Sequence, residues 1–193
     1  MTDKKGHIFI ISGPSGAGKT TLIRSLLREM SGLRQCITYT TRARRPGERE
    51  GIDHYFVDEP AFTRLIEAKR LAEWAEINGY HYGTPKAGID AITAAGGNAV
   101  IDIDIKGAAA IKSLYPEAVS IFIKPPSASV LRERLGTRGE TDRLDKRLQR
   151  VALEMEQAPR YDHVVVNDSL ERAIGSVKAI ITKTTASTRS PGT

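Results

Sequence analysis

The sequence contains a single cysteine, Cys36, so it can form no internal disulfide, which fits a reducing compartment. It lacks any apolar run approaching the ~20 residues that a membrane helix needs. The apolar stretch near the N-terminus, Ile8 to Ile11, is too short for the core of a signal peptide, and the expected location is therefore cytoplasmic. Aromatic residues are scarce, at 6%. No stacking platform lies beside the basic segments, which argues against a nucleic-acid partner. Internal repeats are missing too. The terminal tract KTTASTRSPGT, from Lys183, is polar without periodicity, and residues 184–193 are expected to form a frayed tail.

What is present is an ordinary globular composition, with 40% apolar and 27% charged residues in a chain of 193, enough for one domain with a real core. The net charge of +6 admits three uses: solubility, polyanion binding, or a site for small phosphorylated ligands. The distribution favours the last, because several arginines fall inside phosphate-handling segments.

HIFIIS (His7 to Ser12) reads as a buried strand, and Thr20 to Met30 as a helix with Leu22, Ile23, Leu26 and Leu27 along one stripe. AVIDIDI (Ala99 to Ile105) alternates apolar and acidic residues like a second strand. VSIFIKPP is a third, stopped by Pro125 and Pro126. Ser127 is placed to cap a following helix. Arg143 to Glu156 reads as a long helix, HVVVND as another strand, and Leu170 to Thr182 as the closing helix. Strands alternating with helices predict a three-layer α/β fold around a parallel sheet. The segment Thr38 to Thr84 differs, with short β-like runs (CITYTT, HYFV), an RPGE turn and a helix near Phe62 to Lys69. It reads as an inserted substrate-binding lobe.

Gly13-Pro14-Ser15-Gly16-Ala17-Gly18-Lys19-Thr20 fits G-x-x-x-x-G-K-[ST], and it stands where that loop must stand, after a strand and opening a helix. Glycines allow backbone N–H groups to converge on phosphate oxygens, and the helix N-terminus adds positive potential. Lys19 is expected to reach the β- and γ-phosphates, and the Thr20 hydroxyl, with Thr21 beside it, to meet Mg²⁺ and ATP. The motif specifies a nucleoside triphosphate without naming the acceptor.

Four further segments bear on the acceptor: Thr38 to Glu48 (TYTTRARRPGE), Gly51 to Val57 (GIDHYFV), Glu73-Trp74-Ala75 with Gly79 to Thr84 (GYHYGT), and Asp102 to Gly107 (DIDIKG). Arg42 and Arg45 could grip a phosphate dianion. Glu73 and Asp104 offer carboxylate acceptors, which suit guanine, a base with two donors on its pairing edge.

With the GPSGAGKT loop, TTRARRPGE, the E-W-A…Y-x-Y-G-T block, DIDIKG, PPSASVLRERLGTRG and VVVNDSL in this order, the chain resembles the guanylate kinase family from about Ile8 to Lys183. The resemblance implies a phosphate-loop kinase core (residues 6–37, 85–133 and 151–183), a GMP-binding lobe (38–84) and a mobile lid (134–150). By position it assigns Arg42, Arg45, Tyr82 and His54 to the GMP phosphate, and Thr38, Glu73, Thr84 and Asp104 to guanine. Asp102 would help hold Mg²⁺ through water. Arg134, Arg138 and Arg147 would cover the transferring phosphoryl group, and Asn167 and Asp168 would lie near adenine. The implied reaction moves the γ-phosphate of ATP to GMP with Mg²⁺ and no covalent intermediate, in a monomer or homo-oligomer. His54 stands where the family usually carries tyrosine, Lys106 replaces a usual glutamine, and the stretch from Gly139 to Lys146 is about two residues short for the family. Two other readings remain open at this level: a guanylate-kinase-like scaffold domain without activity, and a kinase for another phosphorylated acceptor.

Overall fold

The computed structural model describes residues 5–77, 79–127, 129–131 and 151–187. In chain order the elements are β1 (Ile8–Ser12), α1 (Lys19–Glu29), β2 (Leu33–Gln35), β3 (Tyr39–Thr40), β4 (Tyr55–Phe56), α2 (Glu59–Glu67), β5 (Leu71–Ile77) and β6 (Tyr80–Pro85). They continue with α3 (Lys86–Ala94), β7 (Asn98–Asp102), α4 (Ile105–Leu114), β8 (Val119–Lys124), β9 (His163–Val166) and α5 (Leu170–Ser187). Five strands form one sheet in the order β2-β7-β1-β8-β9, and its β2–β7, β1–β8 and β8–β9 pairs are parallel. Every residue of β1 is buried, as a continuous apolar run in a parallel sheet requires. No helix among the described residues is long and apolar enough to cross a membrane.

The chain divides into two compact units. One comprises residues 9–31, 102–105 and 119 onward. Its α1 buries Leu22, Ile23 and Leu26, and α5 buries Ala173, Val177 and Ile181 at the spacing of one helical face. The Lys178 ammonium meets the Glu29 carboxylate at 2.8 Å between these helices.

The other unit comprises residues up to 8, 32–101 and 106–118. It holds a four-stranded sheet in the order β4-β3-β6-β5, in which β3–β6 and β6–β5 are antiparallel and β3–β4 is parallel. Asp58 caps α2 by accepting from the Ala61 N–H at 2.7 Å. The helix lies on one face of this sheet: Phe62 is buried and stacks on His81. A Cβ on Gly83 would come 2.7 Å from Leu71 Cδ1 of β5 and 3.1 Å from Phe62 Cζ of α2, so the strand is glycine where these two side chains press closest.

Three local differences from the sequence reading have simple causes. The second predicted strand stops at Asp102, and a helix begins at Ile105. Ile103 and Ile105 continue the alternation of a strand, but the following Gly107, Ala108 and Ile111 form a buried helical stripe. Helix α3 had no reading, because it buries only Ile89 and Thr93 and so shows little apolar pattern. Helix α5 runs to Ser187 and takes in residues expected to be frayed. There Thr184, Thr185 and Ser187 donate their hydroxyls to carbonyls one turn back, which satisfies polar side chains inside a helix.

Candidate active site

Strand β1 ends at Ser12, and the backbone then turns through Gly13, Gly16 and Gly18 at φ of +138°, +84° and +90° before α1 begins. Only glycine holds this succession without strain. No side chain caps α1, and its first turn carries no acid, so the helix presents uncompensated N–H groups at its start. Lys19 Nζ donates to the carbonyls of Gly13 at 2.6 Å and Pro14 at 3.3 Å, folding the side chain back along the loop. Thr20 and Thr21 are exposed in the first turn.

Asp102, the last residue of β7, belongs to the same unit as the glycine loop. Burial pushes its carboxyl up, and the nearby Lys19 cation pulls it down. Asp104 follows in the link to α4, where its charge acts on the Tyr161 phenol. Asn167 is buried and donates Nδ2–H to the Ala17 carbonyl at 2.7 Å. A Cβ on Gly18 would sit 2.4 Å from that nitrogen, so the bare Gly18 and the amide brace fit each other. Asp168 serves the start of α5: it accepts from the Ser169 N–H at 2.6 Å and pairs with Arg172 at 2.9 Å. The two residues expected near adenine thus also have structural partners within the chain.

The acceptor candidates in residues 38–84 lie in the other unit, on its antiparallel sheet. Tyr39 pairs with Tyr55, and Thr40 with Phe56 on one side and Tyr82 on the other. Alternate residues share a face, so Thr38, Thr40, His54, Phe56 and Tyr82 fall together. In β5 and β6 the paired Glu73 and Thr84 lie two residues from the paired Ala75 and Tyr82, and so on the same face. The opposite face carries the α2 contact and the Tyr39–Tyr55 ring pair, with centroids 4.9 Å apart. His54, not Tyr55, therefore joins the polar set.

That set is tightly bonded. Arg42 is buried, and each of its three guanidinium nitrogens has a partner. Its Nη2 meets both Glu48 carboxylate oxygens, at 2.8 and 3.0 Å, its Nη1 donates to the Ala43 carbonyl at 2.7 Å, and its Nε donates to Tyr82 Oη at 3.1 Å. The guanidinium also lies over the Phe56 ring, 5.8 Å from its centroid. Because Tyr82 Oη accepts from Arg42, its own O–H remains to donate elsewhere. The Arg42 bond holds Glu48 below the usual carboxylate range.

His54 Nδ1 and Thr38 Oγ1 share a hydrogen bond of 2.8 Å, and the ring meets Tyr82 and Phe56 edge-on. Burial first, and then the Arg42 cation, hold this imidazole below the ordinary histidine value, while Glu48 and Asp53 pull the other way. Buried Thr84 donates its hydroxyl to buried Glu73 Oε1. Arg45 is exposed, and its backbone N–H donates to Glu48 Oε2 at 2.9 Å. Arg134, Arg138 and Arg147, with the expected lid, lie outside the described residues.

Glu48 had no role in the sequence reading, although it stands inside a quoted motif. Its signal is the first acid after three arginines, set just past a Pro-Gly turn. Pro46-Gly47, with Gly47 at φ +85° and the Glu48 N–H donating to the Arg45 carbonyl at 3.1 Å, has the pattern of a type II turn. The turn returns Glu48 onto Arg42. Cys36, beside Pro85, is pushed up to about 12 by burial and then by the Glu73 charge, so it holds its proton near neutrality and is no nucleophile.

A sequence profile of the guanylate kinase family matches residues 5–184. The guanylate kinase of Neisseria gonorrhoeae is 44% identical over 180 residues, which are 92% of this chain and 88% of that protein. That of Symbiobacterium thermophilum is 41% identical over 179 residues, 92% of this chain and 85% of that protein. The crystal structure of guanylate kinase from Anaplasma phagocytophilum superposes with a TM-score of 0.78 at 32% identity, covering 93% of this chain and 86% of that one. On the profile and these relatives together, the chain belongs to the guanylate kinase family.

Proposed function

We propose that the glycine loop and α1 hold the triphosphate of ATP, and that the polar face of the antiparallel sheet holds GMP. The reaction is that of the family: ATP and GMP give ADP and GDP. The observation that carries the acceptor assignment is the single sheet face shared by Thr38, His54, Glu73, Tyr82 and Thr84, with Arg42 at its edge. It offers cationic and hydroxyl donors at one place and a buried carboxylate acceptor at another, as a phosphate and a guanine edge require.

In the proposed chemistry a GMP phosphate oxygen attacks the γ-phosphorus in line, and the bond from that phosphorus to the β,γ-bridging oxygen breaks. ADP carries away the electron pair, and no protein nucleophile is used. Lys19 and the loop N–H groups stabilise charge on the transferring group. Arg42, Tyr82 and His54 orient the acceptor phosphate, with Arg45 beside them. Thr38, Glu73, Thr84 and Asp104 read guanine, and Asn167 and Asp168 flank adenine.

Guanylate kinases use Mg²⁺ with ATP. Among the described residues no group of three or more His, Cys, Asp or Glu side chains could hold a metal alone. The hard oxygens of Thr20 and Asp102 nevertheless suit Mg²⁺, which is commonly held by one or two protein oxygens plus substrate phosphates. When bound, the ion neutralises charge on the β- and γ-phosphate oxygens.

A coupled assay offering GMP, AMP, UMP and ribose phosphates as acceptors tests the assignment. GMP is expected to exceed AMP in kcat/KM by about 10²-fold or more, since a site built to accept from a base rejects one that presents an acceptor there. Comparable rates with AMP would overturn the guanine reading of Glu73. Preference for a ribose phosphate would overturn the base-reading face altogether.

A further inference from the structure

His54 sits between two groups with different tasks. Its Nδ1 is hydrogen-bonded to Thr38 Oγ1, and its ring lies edge-on to Tyr82, whose hydroxyl accepts from Arg42. From the residues on either side of β3 it faces Thr38 and the Arg42 cation; from the loop before β4, the Glu48 and Asp53 carboxylates; from β6, the Tyr82 phenol. Glu48 is already committed to Arg42 by two oxygens. The half-buried ring thus faces one cation and two carboxylates, and a further anion placed beside it would favour its charged form.

We propose that His54 takes up a proton when the phosphate monoester of the acceptor docks beside Arg42, and thereby turns the Thr38 hydroxyl toward the base. This rests on the reading of the sheet face as the GMP site. The step is a protonation balance only: one proton passes from solvent to the imidazole, and no other bond changes. The switch starts from the neutral Nε2–H tautomer, in which Nδ1 accepts from the Thr38 hydroxyl. A protonated ring has two donors and no acceptor. Nδ1–H must then donate to Thr38 Oγ1, which leaves the threonine O–H free for an acceptor on guanine, while Nε2–H is free for the phosphate. One proton would thus link phosphate occupancy to base recognition.

The sign follows from the surroundings. Burial and Arg42 outweigh Glu48 and Asp53 and keep the ring neutral near pH 7 when no phosphate is beside it. A phosphate dianion favours the charged form, so the ring's pKa rises on binding. Between the two values, binding draws in a proton, and GMP affinity falls as pH rises through the value in the complex.

The test is calorimetric titration of the intact protein with GMP at pH 7, in two buffers of different ionisation enthalpy, for wild type and His54→Gln. The phosphate of free GMP also titrates near neutrality, identically in both titrations, so the difference in proton count belongs to the complex and its His54–phosphate pair. Wild type is expected to take up about 0.3 to 1 proton more than the variant. Its GMP Kd is expected to weaken by roughly 3- to 10-fold more from pH 6.5 to 8.5, the difference of one charge-assisted hydrogen bond. NMR of the four histidine rings should show the pKa of the His54 resonance, identified by its loss in His54→Gln, moving up by at least about one unit on GMP saturation of wild type, and a shift confined to His7, His81 or His163 would overturn the proposal. Saturable GMP binding with equal proton counts and unmoved rings would overturn the proposal and leave the GMP site standing. Absence of saturable GMP binding would remove the site and the proposal together.

Discussion

The phosphate loop and the polar face of the antiparallel sheet hold their polar groups by different means. The loop is eight consecutive residues, and its working groups are mostly backbone N–H, set by three glycines at positive φ and by the start of α1. The sheet face draws its groups from β5, β6 and the residues flanking β3 and β4, spread from Thr38 to Thr84. There the groups are side chains, each oriented by a partner: Arg42 by Glu48, His54 by Thr38, Glu73 by Thr84. A backbone site needs little support, because the turn that forms it also aims it. A side-chain site needs partners, because long side chains carry rotamer freedom that must be removed before binding.

Substitutions can break this contrast in either direction. The largest effect is expected for Lys19→Ala, which removes the one side-chain charge from a backbone site. Its kcat should fall by about 10²-fold or more, with the fold and GMP affinity retained. Turnover and calorimetric GMP binding check this, and near-normal turnover would sink the role given to Lys19. Next comes Glu73→Gln, which leaves the shape but places a donor before the guanine donors. The kcat/KM for GMP should drop by about 30-fold, about 2 kcal/mol, with the ATP KM nearly unchanged. Equal losses for both substrates would show that the two regions are not separable at Glu73.

Glu48→Gln sharpens the comparison at a positioning residue. Arg42 would lose its ionic partner and gain rotamer freedom, so the KM for GMP should rise by roughly 5- to 10-fold with kcat little changed. A fall in KM would mean that Glu48 competes with the phosphate instead of aiming Arg42. The Arg42 bond depresses Glu48, so the clamp is present above the ordinary carboxylate value and is lost only as pH falls through the lower value of the folded protein. The KM of wild type should therefore not show this loss at mildly acidic pH.

The smallest effect belongs to a control outside both regions. Lys69 follows α2 at φ +53°, with its N–H on the Ile66 carbonyl at 2.9 Å and the Arg70 N–H on the Leu65 carbonyl at 3.0 Å, a Schellman ending. Glycine there relieves left-handed strain but loses more entropy on folding. Lys69→Gly should stabilise by about 0.5 kcal/mol, raising Tm by about 1–2 °C with unchanged kinetics. A lower Tm would show that the Lys69 side chain contributes more than its backbone strain costs.

The sequence by itself determined the phosphate loop, because its chemistry is local: the residues that make the turn are adjacent, and flanking apolar periodicity announces the strand and helix that hold them. It also determined β1, α1, β8 and β9 to within about two residues, since buried runs and a helical stripe leave little choice. Ordered motifs and family resemblance singled out most of the residues that share the polar sheet face, but not their partners. That Arg42 is clasped by Glu48, that His54 instead of Tyr55 joins Thr38 and Tyr82, and that Asn167 braces the loop at Ala17 were decided only in the tertiary structure. Asn167 and Ala17 lie 150 residues apart, and no local pattern records such a bond. The face on which His54 falls depends on strand register, where a slip of one residue exchanges every side chain between the two faces. Register here is fixed by long-range pairing of Thr40 with Tyr82 and Phe56, and by the α2 residues that cover the opposite face.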